Sequence, residues 1–357
     1  MPQLHRHARD PQHFDLLRVL DEFARNTGLS IEDDSTHDAL ILSLSDALRA
    51  HRANPIRLYG FRTEAMFAHI AATLGKCDII VEEDSGIHYD SNPDSVAPDF
   101  RILTLDGEQF FVEVKNFHQK QPMDDFKIKS TYLEKLRAYA DKFSVPLKFA
   151  VYWSRWGHWA LVDSTKLSNS GDHMVLPFLE AFKRNEMASI GDCMVGTIPP
   201  LTLRLYADPN EPREIGDNGL APFTTQRAEM RSGQTVLNSE LDKKIAWHMM
   251  LYGNWIDIER PVSVTGNLID FVDFCFAPEP PSDEYGWDII GSLSEMVSKQ
   301  YLQQTSVDGS VKRLVPVGQP DSLGVLIPPD FHGDDLSLWR LIIEPNFDDM
   351  APTNIPN

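Results

Sequence analysis

Residues 97–117, APDFRILTLDGEQFFVEVKNF, constrain the fold of this chain more than any other stretch. Asp106-Gly107 is a strong hairpin signal set between two alternating apolar runs. The register of that hairpin decides what the strands present. A two-residue turn on Asp106-Gly107 pairs Leu105 with Glu108, hence Asp99 with Val114, and Asp99 then faces away from Glu113. A three-residue loop, Leu105-Asp106-Gly107 with Gly107 left-handed, pairs Thr104 with Glu108 and Asp99 with Glu113. Side chains alternate across a strand, so only this even register puts Asp99, Glu113 and Lys115 on one face. Phe100, Ile102, Phe110, Val112 and Val114 then line the other face. The three-residue loop, or an equivalent bulge, is therefore expected.

Two carboxylates and a lysine on adjacent strands form a site for a hard divalent cation. Mg²⁺ takes oxygen ligands at about 2.0–2.1 Å and keeps several waters. Asp99 and Glu113 are the candidate ligands, the carbonyl of Val114 is a third oxygen, and Mn²⁺ is the expected substitute. Such an ion lowers the pKa of a bound water and polarises a phosphate. Lys115 would orient or deprotonate that water, or stabilise charge at phosphorus. The acid-x-Lys pattern alone is weak, since Asp125-Phe126-Lys127 and Asp242-Lys243-Lys244 repeat it in expected helices. An ordinary surface pair on an amphipathic hairpin is the bland alternative. Glu64 heads the inward stripe Phe67, Ala71, Leu74 of a helix expected over 64–74, with Thr63 as its cap. It reads either as a first-turn glutamate favoured by the helix dipole or as the holder of a metal-bound water or a second ion.

Glu64, Pro98-Asp99 and Glu113-x-Lys115, in that order, resemble the PD-(D/E)XK nuclease superfamily. The Glu-bearing helix ahead of the hairpin is most similar to archaeal Holliday-junction resolvases and related restriction enzymes. The resemblance covers roughly residues 55–165. It implies an α/β fold: a restriction-endonuclease-like core with a mixed sheet flanked by helices. It also implies a Mg²⁺-dependent endonuclease that hydrolyses phosphodiesters, with DNA as substrate, serving restriction, anti-phage defence or repair. Glu64, Asp99, Glu113 and Lys115 would be its catalytic residues. In many members a later helix carries a Gln or Lys and, four residues on, an aromatic. Lys135 and Tyr139 fit that spacing and are candidate nucleic-acid contacts. Arg155, between Trp153, Trp156 and Trp159, is another, since such rings stack on bases; core packing with one exposed ring is the simpler reading of the tryptophans. Pro93-Asp94 competes with Pro98-Asp99 but precedes the hairpin and cannot pair with Glu113. An RNase on the same fold, or a non-catalytic binding or assembly subunit that kept it, are the alternatives.

The rest of the chain divides by pattern. Residues 1–52 read as a helical segment, with helices over 11–25 and around Leu40, Leu44, Ala47 and Leu48. Residues 53–207 carry the nuclease-like pattern: a helix over 125–143, strands over 147–153 and 159–163, a helical stretch over 175–185, and strands over 195–198 and 201–206. Residues 208–223, rich in Pro, Gly and acids, read as a linker. Residues 224–357 read as an α+β domain of unstated role, with helices over 236–252 and 288–303 and strands over 267–276 and 324–327. Net charge is −20, awkward for a nucleic-acid protein. The charge is uneven: residues 115–148 hold eight Lys/Arg against four Asp/Glu, and the chain beyond 200 holds eleven against twenty-four. The acidic second half therefore suits a protein partner better than a DNA clamp. Three widely spaced cysteines argue against a disulfide framework or zinc site and for a reducing compartment. With no apolar run near the ~20 residues that span a bilayer, a cytoplasmic protein is expected. Cutting both strands would favour a homodimer.

Overall fold

The structure is a computed structural model that describes residues 4–7, 16–84, 89–279, 286–320, 327–328 and 331–346. It is a mixed α/β chain. Two helices come first, α1 (Leu16–Thr27) and α2 (Asp34–Ala53), followed by α3 (Pro55–Leu74), on which the first core is built. α3 starts nine residues earlier than a cap at Thr63 suggests. Asn54 caps it by accepting the Arg57 N–H, Pro55 takes the first turn, and left-handed Gly75 ends it. Thr63 is interior, its hydroxyl turned back to the Tyr59 carbonyl at 2.8 Å.

The central sheet uses β1 (Cys77–Glu82), β2 (Phe100–Thr104), β3 (Gln109–Phe117), β5 (Leu147–Trp153) and β6 (His158–Asp163), in the order β1-β2-β3-β5-β6. β3 and β5 are parallel and every other neighbour is antiparallel. The parallel pair needs a crossover, supplied by β4 (Phe126–Lys129) and α4 (Ser130–Phe143). The helix expected from residue 125 thus begins only at Ser130. β4 instead pairs with β8 (His173–Leu176), which also pairs with β7 (Ser168–Ser170), and only α5 (Phe178–Lys183) remains of the helix expected over 175–185.

The second half is built on β9 (Met194–Thr197), β10 (Leu201–Ala207), β11 (Thr225–Ser232), β12 (Thr235–Val236), α6 (Glu240–Tyr252), β13 (Ile256–Glu259), β14 (Val262–Thr265), β15 (Leu268–Ala277), β16 (Asp288–Ser292), α7 (Leu293–Thr305), the hairpin β17 (Ser306–Val307) and β18 (Ser310–Val311), and β19 (Leu338–Leu341). One sheet runs β12-β11-β10-β15-β13 with β14 on β15, another β16-β9-β19. Two expectations change here. β9 and β10, read as part of the nuclease-like unit, pair with strands of the second half, so residues 208–223 connect strands of one sheet. The helix expected from 288 starts at 293: Asp288–Ser292 pairs with β9, and Ser292 and Glu295 then form a reciprocal capping box that opens α7. The strand expected over 324–327 lies almost wholly outside the described residues.

Both faces of the central sheet are buried. Phe100, Ile102, Phe110, Val112 and Val114 pack on α3 through Phe67, Ile70, Ala71 and Leu74. Val297 and Tyr301 of α7 complete that core, and the Trp159 indole donates to Ser298 at 3.0 Å. Phe111, Phe149, Val151 and Trp153 pack on the other face against Leu133, Leu136 and Tyr139 of α4. Among the described residues, no helix is long and apolar enough to cross a membrane.

Candidate active site

The hairpin has the even register. Phe100 pairs with Val112 and Ile102 with Phe110. The Thr104 N–H donates to Glu108 O at 2.9 Å, the Gly107 N–H donates to Thr104 O at 3.0 Å, and Gly107 has φ +90°. No atom crowds the position a Gly107 side chain would take, so its left-handed backbone alone calls for glycine. Continuing the register sets Asp99, just before β2, opposite Glu113. The Asp99 carboxylate accepts the Val114 N–H at 2.6 Å. That bond carries Asp99 past the end of the ladder and holds it beside Glu113.

Glu113 is 1% exposed. Its Oε1 accepts from the Lys115 ammonium and, at 2.7 Å, from the Tyr132 hydroxyl. Its Oε2 is buried without a hydrogen-bond partner among the described residues. A buried carboxylate oxygen left so is unfavourable on general grounds, by ~1–3 kcal/mol or more, and is relieved by a cation. Asp99 lies in the same field. Burial first, and then the nearby Glu113 charge, push its carboxyl up to about 8, against the pull of Lys115. Burial works against the Lys115 ammonium, but Glu113 and Asp99 outweigh it and hold its pKa above the ordinary value. Lys115 is therefore a cation near neutral pH and not a proton acceptor.

Glu64 projects from the middle of α3, which removes the first-turn reading. Its carboxyl is half-buried and pushed up, by burial and by Asp84, Glu113 and Glu82, with Lys115 opposing. It shares the electrostatic environment of Lys115 and Glu113. Among the described residues, however, no group of three or more acidic, His or Cys side chains is close enough to hold a metal ion. A metal here would rest on Asp99 and Glu113, with water and the Val114 carbonyl filling the remainder. Mg²⁺ commonly takes one or two carboxylates and keeps its waters, and the partnerless Glu113 oxygen fits that donor set.

The outlying candidates are placed differently. Lys135 pairs with Asp94 at 3.1 Å on an exposed flank. Tyr139 is buried and donates to Glu83 at 2.8 Å, where Glu83 also pairs with Arg101. Arg155 is exposed on the β5–β6 turn, its guanidinium donating to the Lys120 carbonyl at 2.7 Å. Trp153 and Trp159 are core, and only Trp156 of the three is exposed. Two residues of the site escaped the sequence. Tyr132 reads as apolar stripe, and its signal is its place at the start of the helix that follows β4. Asp84 sits in the acidic run at the end of β1 and is pushed up by burial, Glu113 and Glu82.

No family model and no curated protein matches the chain. Among solved structures it is similar to a Holliday junction resolvase from the archaeal hyperthermophile Archaeoglobus fulgidus, with a TM-score of 0.25 and 15% identity, over 31% of this chain and 84% of that one. A likeness of that degree carries no argument about activity.

Proposed function

We propose that this chain is a metal-dependent nuclease with a PD-(D/E)XK-type centre, cleaving DNA phosphodiesters. The observation that carries the proposal is the buried Glu113 carboxylate, one oxygen without a partner among the described residues, opposite Asp99 and two residues before Lys115. Asp99 and Glu113 would hold the ion, with Val114 adding its carbonyl: in an extended strand N–H and C=O point the same way, and the Val114 N–H points at Asp99. When bound, Mg²⁺ or Mn²⁺ would supply positive charge against the phosphate and a water of lowered pKa. Lys115, held as an ammonium, stabilises the charge that develops on the phosphoryl oxygens. Tyr132 fixes the Glu113 rotamer from α4, and the Val114 N–H fixes Asp99. Glu64 and Asp84, whose carboxyls burial pushes up and which share the field of Glu113 and Lys115, would add acidic groups beside the ion.

The test is cleavage of supercoiled plasmid by the full chain with Mg²⁺ or Mn²⁺, beside Glu113→Gln and Lys115→Ala. Metal-dependent nicking lost in both variants is the expected result. A wild type that cuts neither DNA nor RNA under these conditions removes the proposal, and cutting of RNA alone changes its substrate.

A further inference from the structure

Four of the eight Lys/Arg of residues 115–148 pair with carboxylates within the fold. Lys115 pairs with Glu113, Lys135 with Asp94, Lys142 with Asp90, and Lys148 with both Glu108 and Glu186. The second half does the same, with Arg204 on Asp273, Arg213 on Asp270, Arg227 and Arg231 on Glu229, and Arg260 on Asp257. Elsewhere, cations without such pairing gather around one cavity. A cavity of about 600 Å³ opens between the start of α3 and the β17–β18 hairpin. Its lining holds three cations, Arg52, Lys312 and Arg313, and no carboxylate. No carboxylate among the described residues pairs with any of the three. In a chain of net charge −20, cations gathered around one cavity and left without counter-charges repel one another, and an anion bound among them relieves that repulsion.

The frame that carries these cations is fixed. Asp308 (φ 49°) and Gly309 (φ 72°) make the tight turn of the hairpin. The Lys312 and Arg313 N–H groups both donate to Thr305 O, at 2.9 and 3.2 Å. The Tyr301 hydroxyl of α7 donates to Leu314 O, and Arg62 of α3 donates to Ser306 Oγ at 2.7 Å. The volume falls in the ~300–1,000 Å³ range of small-ligand sites and far exceeds one phosphate ion. Tyr59 adds an aromatic wall, with the Arg62 guanidinium 5.0 Å from its ring centre. Arginine forks match phosphate oxygens in pairs, and aromatic rings stack on bases.

We infer that this pocket is a second site, binding nucleotide phosphates, supplied either by a strand of nucleic acid or by a free nucleotide. The inference does not require cleavage at Glu113. The test uses the full chain without divalent metal. A fluorescein-labelled single-stranded DNA is titrated by anisotropy, and ADP by calorimetry, against wild type, Lys312→Gln/Arg313→Gln and Arg52→Gln. The three side chains reach solvent, so the variants should melt like wild type. Expected is binding of at least one probe by wild type, weakened at least tenfold in the double variant. If the DNA is the ligand, the salt dependence also flattens, by about 0.7 in log–log slope for each phosphate that the variant no longer neutralises. ADP binding without DNA binding assigns the pocket to a free nucleotide, and the reverse assigns it to a strand. Wild type that binds neither probe, or variants that bind as wild type does, overturns the inference. A chain that binds through the pocket but never cuts with Mg²⁺ would sink the nuclease proposal alone.

Discussion

The Tyr132 hydroxyl reaches across from α4 to donate to Glu113 Oε1 at 2.7 Å, on the same oxygen that the Lys115 ammonium holds. The bond ties the helix of the crossover to the strand that carries Glu113 and Lys115. Tyr132→Phe removes the donor and leaves the ring. A hydrogen bond to a charged group contributes ~1.5–3 kcal/mol. The variant should therefore stay folded, lose about that much in urea unfolding, and cleave plasmid about tenfold more slowly. Unchanged cleavage would mean that Tyr132 only packs.

Gly107 should tolerate replacement better than removal. Gly107→Val keeps the residue count and suffers the left-handed strain, ~1–2 kcal/mol, so metal-dependent cleavage persists at reduced stability. Deleting Gly107 shifts the pairing by one and turns Asp99 to the wrong face. That variant should show a native-like circular dichroism spectrum and no cleavage. Cleavage by a folded deletion variant would put the ligand at another acid.

Asp99 gives a pH signature. Its carboxyl titrates near 3.8 when unfolded and at about 8 in the folded, metal-free chain. Between those values the folded state holds the extra proton, so metal-free stability falls as pH rises from about 4 toward 8. A cation needs the ionised form, so its stabilising effect grows over the same interval. Melting with and without Mg²⁺ should show a larger Mg²⁺-induced rise at about pH 8 than at about pH 5.5, and Asp99→Asn should erase the difference. An equal rise at both values would count against Asp99 as ligand.

Residues 1–207 do not contain α7, yet Val297 and Tyr301 pack into the core behind β3. A fragment ending at 207 also strands β9 and β10 without their partners. It should therefore lack a cooperative thermal transition. In the full chain, Tyr301→Ala removes a fully buried ring and should lower stability by ~3–5 kcal/mol, read from chemical denaturation. A fragment that melts cooperatively would show that the second half is dispensable to the first core.

The local features of this protein were legible in its residues. Asp106-Gly107 between alternating strands set the register, because turn geometry and a period of two act over a dozen neighbouring residues. That was enough to bring Asp99, Glu113 and Lys115 to one face. The Ser292–Glu295 capping box was equally local, though a hydrophobic run through Ile289 and Ile290 masked it as helix. What the sequence alone could not decide was which distant segments would pair. β4 became a strand because β8 lies beside it, and β9 and β10 joined the second half because β15, β16 and β19 offer them partners. Nor could a count of lysines and arginines tell which would be neutralised, since pairs such as Lys142–Asp90 and Lys148–Glu186 join residues that only the fold brings together. Tertiary structure brought the Tyr132 hydroxyl onto Glu113 and buried Glu113 Oε2 with no hydrogen-bond partner among the described residues. It also paired four of the eight Lys/Arg of residues 115–148 with carboxylates and left Arg52, Lys312 and Arg313 around an open pocket.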